Sequence, residues 1–181
     1  MPKLGMQPIR RDALVNAAIA QVGAHGPDVT VAQIARQAGI SPALAHHYFD
    51  GKADLMDHAM RAILRDYGAA VRAELAKGGD RVEAVVRASF APGNFRRDVV
   101  AAWLTFYTRA QKSDTAARLL RVYQQRVRSN LRAGLRTRGH ADPEGMAETL
   151  AALIDGVYLR VALGGRIGPA AACAQVLRVL E

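Results

Sequence analysis

Apolar residues in this chain recur every three or four positions rather than alternating, and alternating runs of β-branched residues are missing. That period gathers them on one face of successive helices. Alanine, leucine and arginine dominate, all good helix formers. The pattern predicts an all-α chain. A first helix over about 8–22 carries Leu14, Ala17, Ala18 and Val22 on one face, with Pro8 near its start and Gly23 and Gly26-Pro27 ending it. A longer helix over about 52–77 carries Leu55, Ala59, Ile63 and Ala70, and Gly78-Gly79 breaks the chain after it. Further helices are expected over 81–90, 97–112, 115–137, 143–163 and 169–180. A functional boundary falls near 50–55, giving an expected N-terminal unit of residues 1–55 and a body of 56–181, although the long helix can continue across it.

The stretch Thr30 to Lys52, TVAQIARQAGISPALAHHYFDGK, carries the sharpest local signal. Thr30 with Gln33 three residues later is a capping box. Ile34, Ala35 and Ala38 form an apolar face, and Gly39 suits the left-handed conformation that ends a helix. Ser41 then caps a second helix with Pro42 at its first position. Two short helices joined by about three residues match a DNA-binding helix-turn-helix, or an αα-hairpin with no DNA role. His46, His47 and Tyr48 offer donors and flat rings to bases or phosphates, while Phe49 is expected to pack inward.

Charge points the same way without locating the surface. The 181 residues hold 25 basic and 16 acidic side chains, a net charge of +9 that attracts a polyanion. Most of the excess lies beyond residue 66, notably between Arg109 and Arg138, where a run of arginines reads as a solvated helix face or a second nucleic-acid surface. One cysteine, Cys173, excludes an internal disulfide or a cysteine-based zinc site. The histidines lack metal spacing, so neither metal nor cofactor is expected. No secretory h-region or membrane-length apolar run is visible, which reads as a cytoplasmic protein with no membrane partner.

Gly39, Ile40, Ser41, the Tyr48-Phe49 pair and Lys52 together resemble the helix-turn-helix of tetracycline-repressor-type (TetR) regulators. The resemblance implies an all-helical homodimer with an N-terminal DNA-binding unit and a C-terminal ligand and dimerisation domain. Ala45 departs from it, being small where leucine or isoleucine is usual, and His46 stands where tyrosine is common. A narrower resemblance, to the choline-responsive repressors of glycine betaine (osmoprotectant) synthesis, is carried by the opening MPKLGMQPIRR, by His47-Tyr48-Phe49, by AWLTFY and by LAALIDGVYLR. It implies repression relieved by choline or betaine aldehyde.

On this reading Ser41, Pro42, Ala43, Leu44, His46 and His47 lie nearest the bases of double-stranded operator DNA. Arg10, Arg11, Thr30, Tyr48 and Lys52 are the candidate phosphate contacts. Seven of the aromatics lie between Phe90 and Tyr158. Trp103, Phe106 and Tyr107 share one helix face and are either core or one wall of a cage for a quaternary ammonium, which rests on aromatic faces. Phe90, Phe95, Tyr123 and Tyr158 are candidates to close it. Asp155, inside an apolar run, wants a partner: Arg160, another chain's arginine at a dimer interface, or the bound cation. Helices 143–163 and 169–180 are expected to pair two copies as a four-helix bundle. The competing readings are a repressor for another small organic cation or apolar ligand, a helical enzyme, or a constitutive DNA binder. No nucleophile–base motif or phosphate loop supports the enzyme.

Overall fold

The computed structural model describes residues 5–181. Among these the secondary structure is nine α-helices and a closing 3₁₀ turn, with no strand. They are α1 (Met6–His25), α2 (Val31–Gln37), α3 (Pro42–Tyr48), α4 (Lys52–Ala76), α5 (Arg81–Ser89), α6 (Arg97–Ala110), α7 (Asp114–Thr137), α8 (Pro143–Ala162) and α9 (Pro169–Leu177). Met1 to Leu4 of the opening motif lie outside the described residues.

Helices α1, α2 and α3 pack around Leu14, Ala18, Ile34, Ala35, Ala45 and Phe49, all buried. The turn between α2 and α3 is built as its residues dictate. Gly39 sits at φ +68°, its N–H donates to the Arg36 carbonyl, and the Ile40 N–H reaches back to the Ala35 carbonyl. That pair of bonds closes the last turn of α2 and aims the chain into α3. Helix α4 then runs without a break for 25 residues, about 37 Å, from the foot of α3 deep into the body. Helices α5 to α8 surround a second group of buried side chains that includes Val85, Phe90, Leu131, Leu135, Leu150 and Ile154. Helix α9 lies against α5 and α8.

Two expected boundaries move. Gly23 does not end α1, which continues to His25 and stops at Gly26, φ +80°. Gly23 serves a contact instead: a Cβ there would lie 2.4 Å from the Asp98 Cα, so only glycine lets α6 press on α1. At the C-terminus the α-helix stops at Leu177 and tightens to 3₁₀ over Arg178–Leu180. Large apolar side chains stay exposed at the end of α8 and beyond it: Leu159, Leu163 (72%) and Val179.

Candidate DNA-reading surface and ligand cage

The reading helix is held by its caps. The Thr30 hydroxyl accepts the Gln33 N–H at 3.2 Å while the Thr30 N–H donates to Gln33 Oε1 at 2.7 Å. The Ser41 hydroxyl accepts the Leu44 N–H at 3.3 Å. Ala45 and Phe49 are buried against α1 and α2. The opposite face is therefore fixed outward: Ser41, Pro42, Ala43, His46 and His47 are exposed, and Leu44 and Tyr48 are half-buried. Ala45 is fully buried.

The candidate phosphate contacts divide. Thr30 is exposed at the start of α2, and Arg10 is half-buried on α1. Lys52 opens α4, with its ammonium 2.5 Å from the Pro27 carbonyl, which positions it at the edge of the reading surface. Arg11 is engaged within the chain. Its guanidinium donates to the Tyr48 carbonyl at 3.3 Å, lies 2.7 Å from the His58 ring nitrogen, and rests 4.7 Å above the Phe49 ring. Burial first and the Arg11 charge second hold His58 below the usual histidine range, so a neutral ring faces the guanidinium. Arg11 thus ties α1 to α3 and α4.

In the body, the aromatic residues meet although up to 91 positions separate them in sequence. Trp103 lies 4.6 Å from Tyr123, 6.0 Å from Tyr107, 6.1 Å from Phe106 and 6.4 Å from Tyr158, between ring centroids. Tyr158 joins this group to Phe90 and Phe95, at 6.1 Å and 5.4 Å. All eight expected cage residues therefore belong to one neighbourhood. The sequence reading missed a ninth, Tyr67 of α4, whose ring meets Tyr123 edge-on at 5.1 Å. Met60, Ile63 and Tyr67 read as one apolar stripe, so periodicity alone marks Tyr67 only as core.

Asp155 faces this cluster. Its carboxylate accepts the Tyr107 hydroxyl at 2.9 Å, and Arg160 is exposed. Burial raises the Asp155 carboxyl above the ordinary carboxylate range, with the Tyr107 bond and the Arg128 charge partly offsetting it. Burial first, then the Asp155 charge, pushes Tyr107 far above the usual tyrosine range, so it remains a donor. The Tyr158 hydroxyl donates to the carbonyls of Ser89 at 2.5 Å and Asn94 at 3.2 Å, fastening α8 to the end of α5 and the loop after it. Asp155, Tyr123 and Arg128 line a cleft of about 110 Å³ between α7 and α8. The rings behind that cleft lie against one another.

The arginine-rich α7 is largely a surface of ion pairs and solvated heads. Arg128 meets Glu148 at 2.9 Å, Arg136 meets Glu144 at 2.5 Å, and Arg138 meets Asp80 at 2.7 Å. Arg118, Arg121, Arg126 and Arg132 are exposed. Another pair crosses from body to head: Arg109, at the end of α6, holds Asp57 at 2.7 Å and the Ala53 carbonyl at 3.3 Å in the first turns of α4.

A capped helix-turn-helix with an outward face, carried on a helical body that sets a half-buried carboxylate beside aromatic rings, defines a ligand-responsive DNA-binding regulator. Residues 14–59 match the family described as bacterial regulatory proteins of the tetR family, and residues 78–181 match the BetI-type transcriptional repressor C-terminal family. The BetI regulator of Brucella suis is 46% identical over 176 residues, covering 94% of this chain and 89% of the relative. That of Rhizobium meliloti is 48% identical over 168 residues, covering 90% and 83%. A regulator structure from Pseudomonas aeruginosa superposes with a TM-score of 0.77 at 26% identity over 96% of this chain and 90% of its own. One from Saccharomonospora viridis, in complex with choline, shares the fold with a TM-score of 0.81 at 24% identity over 96% of each chain. The chain belongs to the BetI-type transcriptional repressors of the tetR family, and is a DNA-binding regulator rather than an enzyme. No described helix is long and apolar enough to cross a membrane.

Proposed function

We propose that this repressor holds its operator as a homodimer, through Ser41, Pro42, Ala43, Leu44, His46 and His47, and releases it when choline or betaine aldehyde enters the aromatic cage. Asp155 carries this reading. It is a half-buried carboxylate beside the rings, with a tyrosine donor on it and no guanidinium bonded to it. A quaternary ammonium has no N–H to donate, so rings and a counter-charge are what it can use. An apolar ligand would leave the Asp155 charge with only the Tyr107 bond and the Arg128 charge to offset it. The choline held by the Saccharomonospora viridis relative supports the same choice.

Binding alone releases nothing; the ligand must prefer the state whose reading helices are misplaced. On this reading the DNA-binding state is the one in which the rings lie against one another. Spreading them moves α6, which carries Trp103 and Tyr107 and, two residues on, Arg109. Arg109 grips the first turns of α4, so the displacement reaches the foot of α3. Residues 1–55 then act as the DNA-reading unit and 56–181 as the sensing and pairing unit.

Leu159, Leu163 and Val179 form the exposed apolar edge through which α8 and α9 pair with a second copy. Light scattering at micromolar concentration is expected to show a dimer, and Leu163→Glu a monomer that binds operator weakly. A gel shift with a palindromic fragment of a choline-oxidation promoter tests the whole reading. Choline is expected to dissolve the complex; release by an uncharged isostere at equal concentration would overturn the cation assignment.

A further inference from the structure

Between α4 and α7 lies a groove of about 350 Å³, inside the range of about 300–1,000 Å³ usual for small-ligand sites. Its wall is largely apolar: Leu64, Val71, Leu75 and Val122, with the rings of Tyr67 and Tyr123. Val122 is 39% exposed, so the strip opens to solvent. Two guanidiniums join the lining, Arg72 from α4 and Arg126 from α7, and no carboxylate does. Arg128, Arg136 and Arg138 each meet an acid, whereas Arg72 and Arg126 meet none among the described residues. The Arg72 head is folded back along its own helix: a Cβ on Gly68, in the groove wall, would lie 3.4 Å from Arg72 Nη1. Arg81 adds a third positive charge, donating to the side-chain carbonyl of Asn130 in the same wall at 3.1 Å.

We propose that this groove binds an anionic amphiphile, a medium-chain carboxylate whose chain lies on the apolar wall and whose head meets Arg72 and Arg126. The site stands apart from the choline reading. Tyr123 lines both the groove and the α7–α8 cleft, but the cleft holds Asp155 and the groove holds guanidiniums. The two openings therefore select ligands of opposite sign, because a cation in the groove meets like charge. A guanidinium pairs with a carboxylate through two parallel N–H bonds and is weakly hydrated, so it gives up water for that partner readily. From Leu64 to Leu75 the α4 wall runs about 16 Å, which suits an extended chain laid along the helix. Burial of that chain supplies the affinity, and the arginines supply the preference for an anion.

Calorimetry on the full-length protein with octanoate and with octanol, which keeps the chain and lacks the charge, tests this. Wild type is expected to bind octanoate about ten-fold more tightly, the worth of one charge-assisted hydrogen bond. That preference should shrink as salt is raised. The double variant Arg72→Gln with Arg126→Gln should erase it by weakening octanoate alone, with choline affinity unchanged. Both positions are exposed, so the fold is expected to survive. Val122→Glu, which sets a carboxylate on the exposed lip, gives an independent variant and should weaken octanoate more than octanol. Failure of wild type to bind octanoate, or equal affinity for the two probes, would overturn the proposal. So would a preference that persists in the double variant, or an equal loss of both probes there.

Discussion

The reading helix and the aromatic cage share a chain but are built in opposite ways. Helix α3 is seven residues long, held by local caps and two buried side chains, with its working face in solvent. The proposed cage comes from α4, α6, α7, α8 and the turn after α5, and its groups are buried or half-buried and touch each other. An exposed surface can carry polar groups at no packing cost, and its specificity changes residue by residue. A ligand site built from core side chains, as proposed here, must serve as core when empty, which would give each of its residues two roles.

The largest expected difference follows from this. Trp103 is 4% exposed and in contact with four other rings, so Trp103→Ala should destabilise the protein by about 3–5 kcal/mol. His47→Ala, on an exposed face, should leave stability within about 0.5 kcal/mol in urea unfolding. Equal effects from the two truncations would erase the contrast. Trp103→Leu keeps apolar volume in the core and should instead weaken choline by roughly thirty-fold, the worth of a desolvated cation–π contact of about 2 kcal/mol.

On DNA the order reverses. His47→Ala should cost about 1–3 kcal/mol at one or two base pairs, measured by gel shift against single-position operator variants. Lys52→Ala should weaken all sequences alike and lower the salt slope by about one, and an unchanged slope would remove Lys52 from the phosphate contacts.

The two regions also differ in how far they could be read from sequence. The elements of α2 and α3 were legible because their causes are local: Gln33 lies three residues from Thr30, Leu44 three from Ser41, and Gly39 ends its own helix. The end of α1 was misplaced because the cause of Gly23 is Asp98, on another helix. The aromatic residues of the cage could be named from composition and resemblance, yet their pairing could not. Tyr107 and Asp155 are 48 residues apart, Tyr158 and Ser89 69 apart, and nothing in the period of either helix ties them together. Tyr67 escaped notice for the same reason: only its ring contact with Tyr123, a property of the packed state, joins it to the cluster.

The link between the regions is expected to be separable from both. Arg109→Gln removes the ion pair with Asp57 while leaving the rings and α3 in place. Choline affinity and operator affinity should each change little, whereas the ratio by which choline weakens operator binding, ordinarily worth about 1–3 kcal/mol, should shrink. A variant with full choline response would show that the displacement travels by another route, such as the contact of α6 with Gly23.

A smaller effect tests the buried charge. The folded Asp155 carboxyl titrates above its ordinary value of 3.8 because burial disfavours the anion. The folded protein thus holds that proton more tightly than the unfolded chain. The resulting stability is fully present below the ordinary value and lost as pH rises through the raised one. At pH 7 Asp155 is therefore a net cost to the fold. Asp155→Asn should therefore raise the melting temperature at pH 7, with the gap closing near about pH 4. The same variant should bind choline more weakly at pH 7, and an unaltered choline affinity would move the counter-charge elsewhere.

Trp103 is the only tryptophan in the chain, so its fluorescence reports the cage directly. Titrating choline into the free protein should change its emission in a saturable way. In the presence of operator the same titration should require more choline, by the factor by which choline weakens operator binding, because the two effects are reciprocal. Operator release by choline with no change in Trp103 emission would show that the inducer binds outside the cage and contradict the account.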